Sequence, residues 1–167
     1  WFRMSHYNDL PLGLFAKLDM DVVSDQDYLT EFRPGYMGFY ETENYYRRNF
    51  DRQLDPYDDS VRLNRFNLNR IWEQYSFDLD LRYFDDVVNR RFNDTDTTLQ
   101  RLPLILFDAA KQPVFSSPVL FDFESSYNYF YRQDGDRGHR LDLHPRLYYP
   151  LRLKNYVTIE PSFGLRE

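Results

Sequence analysis

The chain has 167 residues, enough for one domain with a sizeable core, and 19% of them are aromatic (15 Tyr, 15 Phe, 2 Trp), which favours strands over helices. With 27 acidic against 21 basic residues, a net charge of −6 and no basic block, the composition argues against a nucleic-acid partner. The absence of cysteine excludes disulfides, thiolate chemistry and zinc–thiolate sites, and no apolar run is long enough for a transmembrane helix, although a transmembrane barrel stays open because its strands hide apolar residues at alternate positions.

Residues 1–7 (WFRMSHY) read as a strand and residues 8–11 as a connection. A second strand covers 12–23, where Leu14, Ala16, Leu18, Met20 and Val22 alternate with Phe15, Lys17, Asp19, Asp21 and Val23. Ser24-Asp25-Gln26-Asp27 breaks the alternation, and Ser24 or Asp25 caps a short helical turn through Tyr28, Leu29 and Phe32 that Pro34-Gly35 ends. Between 36 and 57 the pattern is poor. Glu41 and Glu43 with Arg47, Arg48 and Arg52 suit either a short helix lying over other structure or a strand with a polar connection. Pro56-Tyr57-Asp58-Asp59 marks a turn. A strand over 61–70 has an ambiguous phase near Arg65. Residues 71–74 then turn into a clean strand over 75–84, with Tyr75, Phe77, Leu79, Leu81 and Tyr83 against Ser76, Asp78, Asp80 and Arg82. Residues 85–98 are polar and read as an exposed loop.

An apolar strand over 99–107 is interrupted by Pro103, which needs an edge, a bulge or a bend; 108–118 reads as a connection. The stretch 119–132 (VLFDFESSYNYFYR) is the most regular. Phe121, Phe123, Tyr127, Tyr129 and Tyr131 share one parity, and Asp122, Glu124, Ser126, Asn128 and Arg132 the other, with Ser125 and Phe130 as exceptions. At ~3.3 Å per residue it would be roughly 45 Å long, well beyond the usual strand. After a turn over 133–138, a strand over 139–149 sets Leu141, Leu143, Pro145 and Leu147 against Arg140, Asp142, His144, Arg146 and Tyr148. Residues 150–155 turn into a last strand, 156–166, with Val157, Ile159, Phe163 and Leu165 against Thr158, Glu160, Ser162 and Arg166. Eight or nine strands joined mostly in sequence make an all-β antiparallel meander, the pattern of an up-and-down barrel. One wet and one oily face per strand mean a sheet closed around water or a sandwich with two wet outsides. Alternation is already running at Trp1 and still running at Glu167, so a piece of a longer protein is expected.

Catalytic readings are weak. Asp122 and Glu124 lie about 6.6–7 Å apart along a strand, near the spacing of inverting glycosidases. Asp78 with Asp80 and Asp19 with Asp21 repeat that spacing, so a repeated wet face explains all three better than one catalytic pair does. His139 and His144 fall on opposite faces of a regular strand, which argues against a histidine metal centre. Asp134-Gly135-Asp136-Arg137-Gly138 lacks the spacing and bidentate glutamate of an EF-hand loop and reads as a hairpin turn. Asn93-Asp94-Thr95 reads as loop. No catalytic residue, metal site or cofactor is expected.

Three anchors carry a family resemblance: Val22-Val23-Ser24-Asp25 continuing as Asp27-Tyr28-Leu29; Leu99-Gln100-Arg101-Leu102-Pro103; and the run from Phe121-Asp122-Phe123-Glu124 through Phe130-Tyr131-Arg132, Gly138-His139-Arg140-Leu141-Asp142, Pro145 and Pro150 to Glu160-Pro161-Ser162-Phe163-Gly164-Leu165-Arg166. In order and spacing they resemble the transmembrane β-barrel part of the LptD family of outer-membrane LPS-assembly proteins. The resemblance implies that residues 1–167 are a fragment of the barrel domain without the periplasmic jelly-roll. It further implies a non-enzymatic translocon of the cell outer membrane that inserts lipopolysaccharide into the outer leaflet. An LptE-type lipoprotein plug and the periplasmic LPS-bridge proteins, reached through the missing N-terminal domain, would be its partners.

On that reading the lumen-facing contact candidates are Lys17, Asp19, Asp21, Ser76, Asp78, Asp80, Arg82, Asp122, Glu124, Ser126, Asn128, Arg140, Asp142, His144, Thr158, Glu160 and Arg166. The lipid-facing candidates are Leu18, Phe77, Leu79, Leu81, Phe121, Phe123, Tyr127, Tyr129, Leu143, Ile159 and Phe163, with Trp72, Tyr83, Tyr131, Tyr148 and Tyr149 suited to interfacial girdles. The carboxylates should repel the ligand's phosphates unless divalent cations or basic residues intervene. The rival is a soluble lipocalin-like barrel binding a small apolar ligand, which would put the apolar faces inside and the charges outside.

Overall fold

The computed structural model describes residues 1–93, 98–153 and 156–167. Its elements are β1 (Phe2–Leu10), β2 (Leu14–Val22), α1 (Gln26–Glu31), α2 (Phe39–Phe50), β3 (Val61–Ile71), β4 (Tyr75–Asp86), α3 (Val87–Asn93), β5 (Gln100–Pro113), β6 (Leu120–Tyr131), β7 (Gly138–Tyr148), β8 (Leu151–Leu153), β9 (Val157–Ile159) and β10 (Ser162–Gly164). The main sheet has eight antiparallel strands in the order β1-β2-β3-β4-β5-β6-β7-β10, and it is open, with β1 and β10 at its edges.

Several elements depart from the sequence reading for local reasons. Of the two alternatives over 36–57, the chain takes the helix: α2 starts where the Phe32 and Arg33 carbonyls accept from Phe39 and Tyr40 N–H groups. Gly38 permits this approach, since a Cβ there would sit 2.8–2.9 Å from the carbonyl oxygens of Phe32, Arg33 and Pro34. Part of the expected loop over 85–98 is α3, whose first turn is capped by Asp86 accepting from Val88 and Asn89 N–H groups. Of the Asn93-Asp94-Thr95 motif, residues 94 and 95 lie outside the described residues. β5 extends through Pro113 into the expected connection. Pro103 sits where the β5 register skips between Arg101 and Leu104, so of the edge, bulge or bend expected there the chain takes a bulge.

The expected last strand is present in a divided form. Tyr148 pairs with Ser162 and Leu147 with Phe163, while Leu151 pairs with Ile159 and Leu153 with Val157, all in one register. β7 with β8 and β9 with β10 are therefore one hairpin, interrupted where Pro150 and Pro161 offer no N–H. The Tyr149 N–H bond to the Pro161 carbonyl spans the gap, and the ladder continues to Leu143 and Glu167. Residues 151–153 are thus strand, not turn.

Burial runs opposite to a soluble sheet. The buried apolar cluster is Val23, Leu29, Phe39, Tyr46 and Leu54, with Trp1, Tyr28 and Tyr57 against it, and it belongs to the helical insert between β2 and β3. Among the described residues of β3 to β7, Ala109 is the one apolar residue that is buried, whereas Arg62, Asn67, Asp80, Asp85, Gln100 and Asp122 are buried there.

Candidate functional site: the polar face of the sheet

Alternation within each strand and the registers between strands bring the charged parities together. Arg3 lies beside Asp21, Ser5 beside Asp19 and Tyr7 beside Lys17. Lys17 in turn neighbours Asn67, and Asp19 neighbours Arg65. Across β3 and β4, Arg65 stands opposite Arg82, Asn67 opposite Asp80 and Asn69 opposite Asp78. Asp108 lies between Ser76 and Glu124, and β7 sets Arg146 beside Asp122, His144 beside Glu124, Asp142 beside Ser126 and Arg140 beside Asn128. The polar face is continuous from β1 to β7, with Leu104 and Leu106 as its apolar interruptions on β5.

Charges on this face are matched by arginine. Asp80, 2% exposed, accepts from Arg65 at 2.6 and 3.1 Å and from Arg82 Nε at 2.6 Å. Arg146 bridges Asp122 (2.7 Å) and Glu124 (2.5 Å), and the Tyr148 hydroxyl donates to the other Asp122 oxygen at 2.8 Å. Arg166 grips Asp142 at 3.1 and 2.8 Å. Asp19 holds both Arg3, at 2.7 Å, and Arg52. Asp21 faces Arg62 at 3.5 Å, with both side chains 2% exposed, and accepts from the Trp1 indole at 2.7 Å. The amide of Asn67 donates to Asp78, and Ser76 approaches Asp108 at 3.5 Å. Glu160 pairs with Lys111 but lies at the gap between β9 and β10, and Arg166 lies just past β10. Lys17 and Arg140 show no ion pair among the described residues. Basic residues thus intervene between most of the carboxylates, while Asp78 and Asp108 meet an amide and a hydroxyl.

Sequence reasoning missed Arg3, Arg52, Arg62, Arg65 and Arg146 as site residues. The parity of Arg146 on its strand was a usable signal; Arg52, on the helical insert, had none. Tyr148 is a correction to the girdle assignment, since its hydroxyl turns to Asp122 and its ring lies 3.9 Å from the Lys111 ammonium, on the polar side. An open trough of about 700 Å³ runs along this face past Asp108, Asp122, Glu124, Asp142, Arg146 and Arg166.

The helical insert leans onto the same face. Arg52, just beyond α2, donates to Ser5 Oγ at 2.9 Å and to the Tyr7 hydroxyl at 3.4 Å, and the Arg3 guanidinium lies 5.5 Å from the Tyr46 ring centre. Burial pushes the Tyr46 phenol above its ordinary pKa. At the start of α1, the Ser24 hydroxyl and the Tyr28 N–H hold Asp25 below the usual carboxylate range.

The other face carries the lipid-facing candidates of the main sheet on one parity, and Ile159 lies on the β8–β9 ribbon. Phe66 lies between Leu18 and Leu81, Leu68 between Ala16 and Leu79, Ile105 between Leu79 and Tyr127, and Phe123 between Ala109 and Pro145. Toward β10, Leu141, Leu147 and Phe163 stand 58%, 44% and 64% exposed. Among its polar exceptions, Ser125 donates to the Phe107 carbonyl at 2.8 Å, the Tyr127 hydroxyl meets His139 Nδ1 at 2.8 Å and Arg70 lies over the Trp72 ring, while His6 and Asn8 stand exposed on the edge strand β1. On β4, Tyr75 and Tyr83 bracket Phe77, Leu79 and Leu81. Eight residue steps at ~3.3 Å separate the two tyrosines by roughly 26 Å along the strand, which at the ~40° tilt of a barrel strand spans roughly 20 Å of depth, most of the ~25 Å apolar band between aromatic girdles.

A meander that buries Arg62, Asp80, Asp85 and Asp122, has no layer packed over its aliphatic face among the described residues and brackets that face with tyrosine is a part of a transmembrane β-barrel wall. The family model of LptD, LPS transport system D, matches residues 1–167. The chain belongs to that family, and its role lies in lipopolysaccharide transport at the outer membrane. No curated protein matches it.

Proposed function

We propose that this sheet is a wall segment of the translocon that inserts lipopolysaccharide into the outer leaflet, with saccharide passing along the polar face while the apolar face meets acyl chains. The observation that carries this is the inverted burial: Asp80 and Asp122 are 2% and 8% exposed, whereas Phe163 and Leu141 stand open. A lipocalin-type sheet would reverse that pattern. The mechanism is architectural, a hydrated path beside an oily wall, and needs no covalent step. In this reading residues 1–167 lie within the barrel domain, the jelly-roll lies outside them, and an LptE-type lipoprotein and the periplasmic bridge are its partners.

Connection lengths support an orientation. At one end of the strands two connections are long (23–60 and 87–99) and a third, 132–137, is short; at the other end the connections are the turns 11–13 and 72–74 and the short 114–119. Outer-membrane barrels keep short turns in the periplasm and long loops outside. The helical insert would then cap the path from the cell exterior.

The test is photo-crosslinking in cells with probes at Asp78 or Asn128 on the polar face and at Phe77 or Tyr129 on the apolar face. Adducts to lipopolysaccharide are expected from Asp78 and Asn128. Adducts arising only from Phe77 or Tyr129 would contradict the path.

A further inference from the structure

We infer that the pocket bounded by Lys17, Arg52 and Arg65 is an anion site that takes the phosphate of a phosphorylated saccharide. The inference rests on the polar face being the saccharide path. The pocket, about 260 Å³, lies between β2, β3 and the helical insert, and Tyr7, Asp19 and Asn67 complete its walls. Its size is close to the lower end of small-molecule sites.

Charge sets it apart from the rest of the face. Arg3 and Arg52 share Asp19, and Arg65 and Arg82 share Asp80. Lys17 adds a cation whose ammonium rests 5.2 Å from the Phe15 ring centre and has no carboxylate partner among the described residues. With Asp78, whose carboxylate accepts from the Asn67 amide and keeps its charge, five cations stand around three carboxylates. The trough toward β7 has the opposite balance, its walls carrying Glu73, Asp108, Asp122, Glu124 and Asp142 against Lys111, Arg146 and Arg166, with His144 beside them. In a chain of net charge −6, the local cation excess is what an incoming anion would meet.

The chemistry favours phosphate. Arginine forks supply paired donors and lysine a compact point charge, and here they come from three separate elements, so a tetrahedral dianion can be contacted from several sides. The half-exposed Tyr7 at the rim offers its ring to the attached sugar. Arg52 belongs to the insert, so phosphate binding and the seating of the insert would draw on the same guanidinium.

The experiment uses the full-length protein with its lipoprotein partner in detergent, titrated calorimetrically with glucosamine 1-phosphate and with glucosamine. The phosphorylated sugar is expected to bind more tightly, with an affinity that falls as salt is raised. Lys17→Gln is expected to weaken it roughly tenfold, Lys17→Arg to keep it within about twofold, and Arg48→Gln, on the exposed side of α2, to leave it unchanged. Equal affinity for unphosphorylated glucosamine, or an affinity untouched by Lys17→Gln, overturns the inference. Lys17-dependent binding without crosslinks from Asp78 and Asn128 would keep the pocket and remove the path; the reverse would remove the pocket and keep the path.

Discussion

Asp80 on β4 holds Arg65 on β3 through both carboxylate oxygens, at 2.6 and 3.1 Å, and is itself 2% exposed while the arginine side chain is 43% exposed. Arg82 takes a second share of the same carboxylate, and the register sets Arg65 and Arg82 directly opposite each other. One buried anion thus keeps two cations together in a place where they would otherwise repel.

Removing it should cost more than a surface pair would. Asp80→Ala leaves Arg65 and Arg82 facing each other without a counter-ion, and the expected loss is about 2 kcal/mol, below the figure for a fully buried pair because both guanidiniums keep some water. The full-length barrel should lose its folded gel mobility at a lower temperature. A second substitution, Arg82→Ala, should restore part of the loss; an unchanged transition in Asp80→Ala would rule out the neutralising role.

Gln100 acts as a length of strand. Its side-chain oxygen accepts from the Phe84 N–H at 2.7 Å, its amide donates to the Phe84 carbonyl at 2.6 Å, and it is 3% exposed. It closes the ladder where the bulge at Pro103 has pulled β5 out of step with its neighbours. Gln100→Ala should leave two backbone groups unsatisfied and cost about 2 kcal/mol. Hydrogen exchange at Phe84 should accelerate, while exchange at Leu79, in the regular part of the ladder, should not change.

That residue marks where the sequence stopped being legible. Period-2 alternation identified most of the long strands, and because antiparallel partners share a face, it also put Asp78, Asp80, Asp122, Glu124 and Asp142 on one wall. Alternation is blind to amides that lie in the sheet plane: Gln100 does so, and so does Asn64, which accepts from the Asp21 N–H at 3.0 Å beside the end of the β2–β3 ladder. The ambiguous phase near Arg65 was the visible trace of Asn64. The arginines that neutralise the acids were hidden for another reason. Arg3 and Arg52 find Asp19 only through pairing and through the folding back of the insert, neither of which has a local pattern. α2 was ambiguous because it is anchored by carbonyls of the preceding turn, with no capping side chain at Gly38.

The insert should respond to acid through Asp25. The carboxyl is held below its unfolded value by the Ser24 hydroxyl and the Tyr28 N–H. A depressed carboxyl contributes stability that is full above its unfolded pKa and is lost as pH falls through the folded one. Hydrogen exchange in α1 of the full-length protein should therefore rise as pH drops below the ordinary aspartate range, once corrected for intrinsic exchange. Asp25→Asn, which keeps an acceptor for the cap, should remove that dependence; the same acid response in Asp25→Asn would assign it elsewhere.

The assignment of faces can be tested with one residue on each side of the sheet. Leu79 lies at the middle of the band between Tyr75 and Tyr83, with Leu68 and Ile105 beside it. Ser126 lies on the polar face, paired with Leu106 and Asp142. An arginine at Leu79 would have to sit among acyl chains, and Leu79→Arg should destabilise the full-length barrel in phospholipid vesicles by about 2–4 kcal/mol. At Ser126 the same arginine would enter water next to the Asp142 carboxylate, so Ser126→Arg should change stability by less than about 1 kcal/mol. Urea titration of both variants reads the difference directly. Equal losses would mean that neither face is reserved for lipid, and a larger loss at Ser126 would put the acyl chains on the side that holds the arginines.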